Sequence, residues 1–134
     1  MDGNTVEVRG LDIRVARAAQ HARVLLVGQP VRADTAPGND VVAGLNTLYA
    51  DLAAQLGVGF VDAGAALENP DGTFATSLPC VPDEAQCDPS GSNVVRNDDG
   101  LHFCPGPPTA APCDTYSSGA FRFASAIAEA IATA

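Results

Sequence analysis

A carboxylate and an imidazole stand three residues apart in the run Asp99-Gly100-Leu101-His102. Acyl transfer by a serine nucleophile needs an imidazole to take the hydroxyl proton. It also needs a nearby carboxylate that holds the ring in the right tautomer and stabilises its charged form. We therefore expect His102 to be a general base and Asp99 its orienter. Asp98 is the competing carboxylate, but the three-residue offset to His102 favours Asp99.

The same run also fits a structural interpretation. Asp-Gly is a common turn dipeptide, so a histidine that merely satisfies its loop is the alternative for His102. The position of the run, directly before the last predicted helix and near paired cysteines, favours the catalytic interpretation. Beside it, Arg96 and Asn97 either shape the loop or contact a substrate, and the residues alone leave that choice open.

Four cysteines fall into two close pairs, Cys80 with Cys87 and Cys104 with Cys113. These separations are longer than the knuckle spacings of structural zinc sites, so local disulfides are predicted and zinc is the alternative. Disulfides indicate an oxidising compartment. The shorter bridge would contribute about 2.5 kcal/mol by loop entropy, so the bridges order the loops around His102 without replacing a core.

Composition limits the class of protein and its partners. A chain of 134 residues with 46% hydrophobic residues is long enough for one globular domain with a core. The net charge is −9, and all seven basic residues are single, dispersed arginines, which argues against nucleic acid and anionic membrane surfaces as partners. No apolar run predicts an integral membrane segment, and the N-terminal residues lack the pattern of a signal peptide.

The first half of the chain predicts alternating strands and helices. Thr5–Arg9 alternates polar and apolar residues, which predicts a short strand, and Leu11–Ala22 predicts a helix. The apolar run Val24–Gly28 predicts a strand buried on both faces. A helix over Asp40–Leu56, with Asp40 as its cap and a glycine at its end, leads to a strand over Val58–Asp62. Strand, helix and strand in this order imply a parallel crossover.

The second half is predicted to be mostly irregular. Ala65–Leu67 predicts one helical turn, and residues 69–115 form an unusually long loop, which base rates associate with function or disorder. Ser117 or Ser118 is expected to cap a final helix. The apolar face of that helix is predicted to be Phe121, Ala124, Ile127, Ala128 and Ile131.

Three other polar positions are given structural roles. His21 is expected on the surface at a helix end. Asp62, at a strand end, is expected to cap a loop, with a supporting role behind the site as the alternative. The tripeptide Gly38-Asn39-Asp40 predicts a turn and a helix cap.

The run Asp99–Pro105, followed after the last cysteine by Tyr116–Phe123, resembles the last sequence block of SGNH/GDSL-type esterases, as in secreted actinobacterial members. The resemblance covers roughly residues 11–134. It implies a flavodoxin-like three-layer α/β/α sandwich with parallel strands and a long disulfide-pinned loop, of which this single domain is the C-terminal half. It also implies Asp99 and His102 as catalytic acid and base, with no metal and no organic cofactor.

The nucleophile that the resemblance implies, a serine in a Gly-Asp-Ser block after a first strand, has no counterpart in residues 1–134. Of the remaining serines, Ser92, Ser117 and Ser118 are the ones to test, and none lies on a strand-to-helix turn. Loss of the nucleophile lowers turnover around a millionfold. We therefore expect the chain to lack the nucleophile-bearing N-terminal part and to be nearly inert alone.

The resulting expectation is a serine ester hydrolase of extracellular or cell-envelope origin that acts on acyl esters of lipids or O-acylated glycans. An open sheet edge makes a homo-oligomer or a complementing N-terminal half the expected protein partner, unless Thr5–Arg9 pairs there instead. The alternative is a catalytically silent secreted module that binds an envelope glycan or protein. For that module, Asp99→Ala and His102→Ala would leave binding intact.

Overall fold

The computed structural model describes residues 3–36, 38–104 and 111–133, with side chains from residue 10 onwards. The helices are α1 (Gly3–Ala19), α2 (Asn39–Leu56) and α3 (Gly119–Thr133), with a 3-10 helix over Ala63–Leu67. The strands are β1 (Leu25–Val27), β2 (Gly59–Val61), β3 (Ser77–Pro79) and β4 (Ser92–Val94). The protein is therefore a mixed helix and strand structure.

Strands β1 and β2 form a small parallel sheet, with Leu26 opposite Phe60. Parallel strands need a crossover connection, and α2 supplies it. The predicted order of strand, helix and strand is thus confirmed, as is the helical turn after β2. Within the described residues no third strand joins this pair. The small parallel sheet is therefore established, and the complete three-layer sandwich stays a prediction.

Helix α2 is bounded by two glycines in the left-handed conformation, Gly38 with φ 81° and Gly57 with φ 66°. The N–H of Gly57 bonds to the carbonyl oxygen of Ala53 and so satisfies one of the last carbonyls of the helix, as expected for a glycine stop. The predicted N-cap is wrong, because Asp40 lies inside the first turn. Its carboxylate still favours the helix through the positive end of the dipole.

The predicted strand over Thr5–Arg9 is wrong, because α1 runs through this segment and ends at Ala19. Alternation over five residues is a weak signal, and a helix that has already formed extends without a further nucleation cost. Gly10 inside the helix costs about 1 kcal/mol relative to alanine but does not end it. Since the segment is helical, it does not pair with the edge of the parallel sheet.

The long segment between the sheet and α3 is more regular than predicted. Strands β3 and β4 pair in antiparallel fashion, with Leu78 opposite Asn93. Three-residue strands offer too few alternating positions to be recognised by period. The hairpin contributes to the hydrophobic core, whose members are Leu67, Ala75, Leu78 and Val95, with Phe103 and Phe123 packed against them.

Both predicted disulfides are confirmed. Cys80 bonds to Cys87 and Cys104 bonds to Cys113, with Cα–Cα distances of 5.8 Å and 5.4 Å. The first bridge closes a surface loop. The second is buried at both cysteines and lies directly beyond the Asp99–His102 run. The second bridge therefore fixes the chain that leaves the candidate site.

Helix α3 begins after Ser118, at the predicted position, but the hydroxyls of Ser117 and Ser118 bond to Asp114 and to the Arg122 side chain. The predicted apolar face of the helix is wrong. Phe121 and Ile131 are 43% and 54% exposed, whereas Gly119 and Arg122 are buried. Gly119 lies so close to the carbonyl of Val95 that a Cβ would overlap it. This close backbone approach turns the Arg122 face inward.

Candidate functional site

The Asp99–His102 run forms a tight turn after β4. The N–H of Asn97 donates to the carbonyl oxygen of His102 over 2.9 Å, and Gly100 is left-handed with φ 69°. The turn packs on the segment after β1, where the N–H of Ala33 donates to the carbonyl oxygen of Gly100 over 2.9 Å. The turn is therefore built against the carboxyl end of the parallel sheet, which is where open α/β folds place their sites.

The carboxylate of Asp99 holds His102 in two ways. Oδ2 lies 2.6 Å from Nδ1 of the ring, and Oδ1 accepts the backbone N–H groups of His102 and Leu101, each over 2.9 Å. The side-chain bond to His102, followed by these two backbone bonds, lowers the pKa of Asp99 from 3.8 to about 2. The two side chains that the sequence pairs are thus in contact, and Asp98 makes no such bond to the ring.

The tautomer of the neutral ring follows from its contact with that ionised carboxylate. An ionised carboxylate only accepts hydrogen bonds, so Nδ1 must carry the proton and Nε2 must be the lone-pair nitrogen of the neutral ring. The side chain of His102 is 72% exposed. An oriented imidazole with an accessible Nε2 can take a proton from a hydroxyl group or a water molecule.

The ring borders a cleft of about 300 Å³. Its described lining residues are Gln29, Pro30, Arg32, Leu101, His102 and Phe103, with no serine among them. The hydroxyl of Ser117 accepts a hydrogen bond from the backbone N–H of Asp114. The hydroxyl of Ser118 accepts one from Nε of Arg122. Ser92 lies within β4. None of the three candidate serines therefore lines the cleft.

Arg96 anchors the turn from within the core. Its side chain is fully buried between the rings of Phe74 and Phe103, with the guanidinium carbon 5.2 Å and 5.4 Å from the ring centres. Nη1 donates to the carbonyl oxygen of Leu101 over 3.3 Å, and Nη2 donates to that of Val31. Arg96 therefore shapes the loop, which was one of the two roles left open by the sequence.

The electrostatics of Arg96 agree with this role. Burial lowers the pKa of its guanidinium, whereas the charges of Glu68 and Asp99 act in the opposite direction. Glu68 also accepts the N–H of Val31 over 3.1 Å. The buried Arg96 and the partly buried Glu68 therefore both bond to the main chain of Val31, in the segment that follows β1.

The wall of the cleft is held by an amide that the sequence does not reveal. Asn46 on α2 accepts the N–H of Gln29 through Oδ1 over 2.8 Å and donates Nδ2 to its carbonyl oxygen over 2.7 Å. One side chain thus satisfies both main-chain groups of a residue that lines the cleft. Asn46 carries no signal in the sequence, because an asparagine within a helix usually faces solvent.

A second cleft of about 420 Å³ adjoins the first, since Arg32 lines both. It is bordered by the chain after β1, the start of α2 and the turn at residues 72–74. A larger cleft of about 520 Å³ lies at the opposite end of the parallel strands, beside Arg23 and Ile131. Although this cleft is larger, it is remote from His102 and is not part of the candidate site.

The minor candidates take structural positions. His21 is exposed just after α1, as predicted. Asp62 precedes the 3-10 helix without a side-chain cap bond, and its side chain lies close to Gly28. In the tripeptide at the start of α2, Asn39 accepts the N–H of Arg32 through Oδ1 over 2.8 Å. None of these positions touches the ring of His102.

A metal site and a membrane span are two further features to consider in the described ranges. No three histidine, cysteine or carboxylate side chains there come together in a group that could hold a metal ion. No helix in those ranges has the length and apolar character needed to span a membrane.

Comparison with known proteins gives a family match. A family profile described as a protein of unknown function (DUF459) matches residues 9–106, a stretch that includes the parallel sheet, the hairpin and the Asp99–His102 turn. No curated protein matches the chain.

Proposed function

We propose that this chain, which belongs to the DUF459 family of proteins of unknown function, carries the base and the orienter of an ester hydrolase of the SGNH/GDSL type. The substrates would be acyl esters of lipids or O-acylated glycans. The contact between Asp99 Oδ2 and His102 Nδ1, 2.6 Å long beside an open cleft, is the observation that carries the proposal.

The proposed reaction uses Nε2 of His102 as the base. It takes the proton of a serine hydroxyl while the hydroxyl oxygen attacks the carbonyl carbon of the ester. The bond from that carbon to the alcohol oxygen then breaks, and the imidazolium returns the proton to the departing alcohol. Water repeats both steps on the acyl-serine and releases a carboxylic acid. Asp99 stays ionised and stabilises the charged ring.

The serine is the part of the machinery that the cleft does not contain, since its described lining residues have hydroxyl-free side chains. We therefore assign the nucleophile and the oxyanion donors to a separate polypeptide segment that bears a Gly-Asp-Ser block. In the same proposal, that segment adds strands beside β1 and completes a three-layer sandwich. Two disulfides are compatible with the extracellular or envelope location that we assign to the assembly.

The test is complementation. The chain is mixed with, or fused to, a polypeptide carrying the Gly-Asp-Ser block of an SGNH esterase, and hydrolysis of p-nitrophenyl acetate is followed. Activity should appear only in the combination. It should fall about a thousandfold or more with His102→Ala, with Asp99→Asn or with loss of the supplied serine.

Asp98→Asn is the matched control, because Asp98 is the adjacent exposed aspartate and its carboxylate does not hold the ring. Its rate should match that of the parent combination. A combination that is folded and associated, yet hydrolyses the ester equally well with alanine at residue 102, would contradict the proposal. A combination that is folded and inactive would do the same.

One observation favours the alternative function, a binding module without catalysis. The cleft beside His102 is open and holds no serine among its described lining residues. A module of this kind would bind an envelope glycan or protein equally well after Asp99→Ala or His102→Ala. Binding that survives both substitutions, together with failed complementation, would select this function.

A further inference from the structure

We infer that the second cleft is a subsite for a neutral saccharide ring, so that the ester presented to His102 is one carried by a glycan. The inference rests on the proposed function for the ester itself, but the sugar site can be tested separately. The basis is the mixture of hydrogen-bonding groups around the second cleft and its contact with the first.

The second cleft adjoins the cleft beside His102. Arg32 lines both clefts, and the chain from Gln29 to Asp34 runs along both of them. A ligand that fills the second cleft would therefore place its nearest substituent in the first, beside the ring of His102. A substrate of two parts, a ring and an ester, fits two adjoining clefts.

The lining groups include both donors and acceptors. Arg32 supplies guanidinium N–H groups, and Asp34 supplies an exposed carboxylate. The carboxamide of Asn39 is oriented, because its oxygen accepts the N–H of Arg32 over 2.8 Å and its Nδ2 lies 3.5 Å from Oδ1 of Asp34. An amide nitrogen carries two hydrogens, so the second hydrogen of Asn39 Nδ2 points away from Asp34.

These groups discriminate between three classes of ligand. An acyl chain would leave the exposed carboxylate of Asp34 against hydrocarbon, at a cost in desolvation. An anion would meet the carboxylate of Asp34 in a chain whose net charge is −9. A neutral saccharide has hydroxyls that both donate and accept, so it satisfies both kinds of group.

The cleft also has a partly apolar wall. Phe74 and Val31 line it and are both partly buried, and Gly72 leaves the turn beside them without a side chain. Ligand sites of this kind combine an apolar surface with a few fixed polar groups. The volume of about 420 Å³ falls in the range of small-molecule sites.

The experiment measures binding to the isolated chain, labelled with 15N, by NMR. The neutral probes are unacylated tetrasaccharides of glucose, xylose, mannose and N-acetylglucosamine. Tetragalacturonate is the anionic probe, and monobutyrin is the acyl probe. At least one neutral tetrasaccharide should bind with millimolar or better affinity and shift the amide signals of residues 31–34 and 72–74.

Variants localise the site. Asp34→Ala and Arg32→Gln should each weaken the sugar about tenfold, the effect of losing one charge-assisted hydrogen bond. Asp51→Ala is the matched control, an exposed aspartate on α2 away from the cleft, and it should leave the affinity unchanged. Asp34→Asn should make tetragalacturonate bind more tightly than it binds to the parent chain.

His102→Ala separates this inference from the proposed function. Sugar affinity should survive that substitution, whereas complementation activity should not. The inference is overturned if no neutral tetrasaccharide binds, if the anion or the acyl probe binds more tightly than every sugar, or if Asp34→Ala and Asp51→Ala behave alike. Each of these results leaves the roles of His102 and Asp99 to be decided by complementation.

Discussion

Oε1 of Glu84 lies 2.6 Å from Nε of Arg122, and both side chains are almost completely buried. Glu84 belongs to the loop closed by the first disulfide, whereas Arg122 belongs to α3. The second carboxylate oxygen accepts Nδ2 of Asn93 over 2.9 Å. This pair therefore joins the disulfide loop, the hairpin and the last helix through a single carboxylate.

Removing one member of this pair should destabilise the protein strongly. Arg122→Met leaves Glu84 buried without its charge partner, and we expect a loss of about 3–5 kcal/mol in urea unfolding. The double variant Glu84→Gln and Arg122→Met should recover part of that loss, because no unpaired charge remains. Glu129→Gln, at an exposed position of α3, is the control and should stay near the parent value. Equal losses in single and double variants would count against a buried ion pair.

The same pair should make stability depend on pH. Burial alone would raise the pKa of Glu84, but hydrogen bonds from Ser118 and Arg122 and the charge of Arg122 outweigh it, so the pKa is lowered. A lowered folded pKa means stability that is present above the ordinary carboxylate value of 4.5 and is lost as the pH falls through the folded value. Urea midpoints measured from neutral to acid pH should fall less steeply in the double variant than in the parent.

Asp99 should remain ionised to unusually low pH. Its pKa of about 2 depends first on the side-chain bond to His102 and then on the two backbone N–H groups. In a 13C NMR titration of the Asp99 carboxyl, the midpoint should lie near 2 and should rise towards 3.8 in His102→Gln. The contribution of this contact to stability is therefore lost between these values as the pH falls. A midpoint unaffected by His102→Gln would show that the two side chains are apart in solution.

Gly100 should be difficult to replace. It adopts φ +69°, and a Cβ there would overlap that of Ala33. Gly100→Ala should cost about 2–4 kcal/mol, from backbone strain and crowding together. Gly91→Ala is the matched control, because Gly91 has φ +87° but open space around it, and it should show the backbone cost of about 1–2 kcal/mol alone. Indistinguishable values from denaturant unfolding would refute the close packing of the turn on Ala33.

Arg96 should resist even a conservative change. Lysine keeps the charge but cannot bond to the carbonyls of Leu101 and Val31 from a planar group held between two rings. We expect Arg96→Lys to cost about 2 kcal/mol. We also expect the downfield NMR signal of the His102 Nδ1 proton to broaden as the turn loosens. Arg23→Lys, at an exposed position, serves as the control. A sharp, unshifted signal in Arg96→Lys would show that Arg96 does not position His102.

Local patterns were sufficient for the parts of the molecule that depend on local physics. The helical repeat ending at Gly57 and the short Cys80 to Cys87 separation each predicted the structure formed there. The apolar run before Gly28 predicted the strand but not its burial, because the residues of β1 are only partly buried. The approach of Asp99 to His102 was also predictable, because a three-residue turn brings the two side chains together without help from the rest of the chain.

The features that were missed depend on partners distant in sequence. Glu84 and Arg122 are separated by 38 residues, and Arg96 reaches Val31 across 65 residues. Burial of these charges follows from the tertiary fold, and each charged residue alone predicts a solvated surface position. The inward face of α3 was mispredicted for the same reason. The contact between the backbone of Gly119 and Val95 determines which face of the helix is buried, and the spacing of apolar residues gives no information about that contact.

The double hydrogen bond between Asn46 and Gln29 has a mechanical consequence. The amide of Asn46 bonds to both the N–H and the carbonyl oxygen of Gln29, as a paired strand would. These two bonds, here called the rung, join α2 to the loop that follows β1. Sliding or unwinding of α2 would break this rung, so the wall of the His102 cleft and the middle of α2 must open together. The cleft therefore keeps its shape only while the third turn of α2 stays folded, although no side chain of α2 lines the cleft.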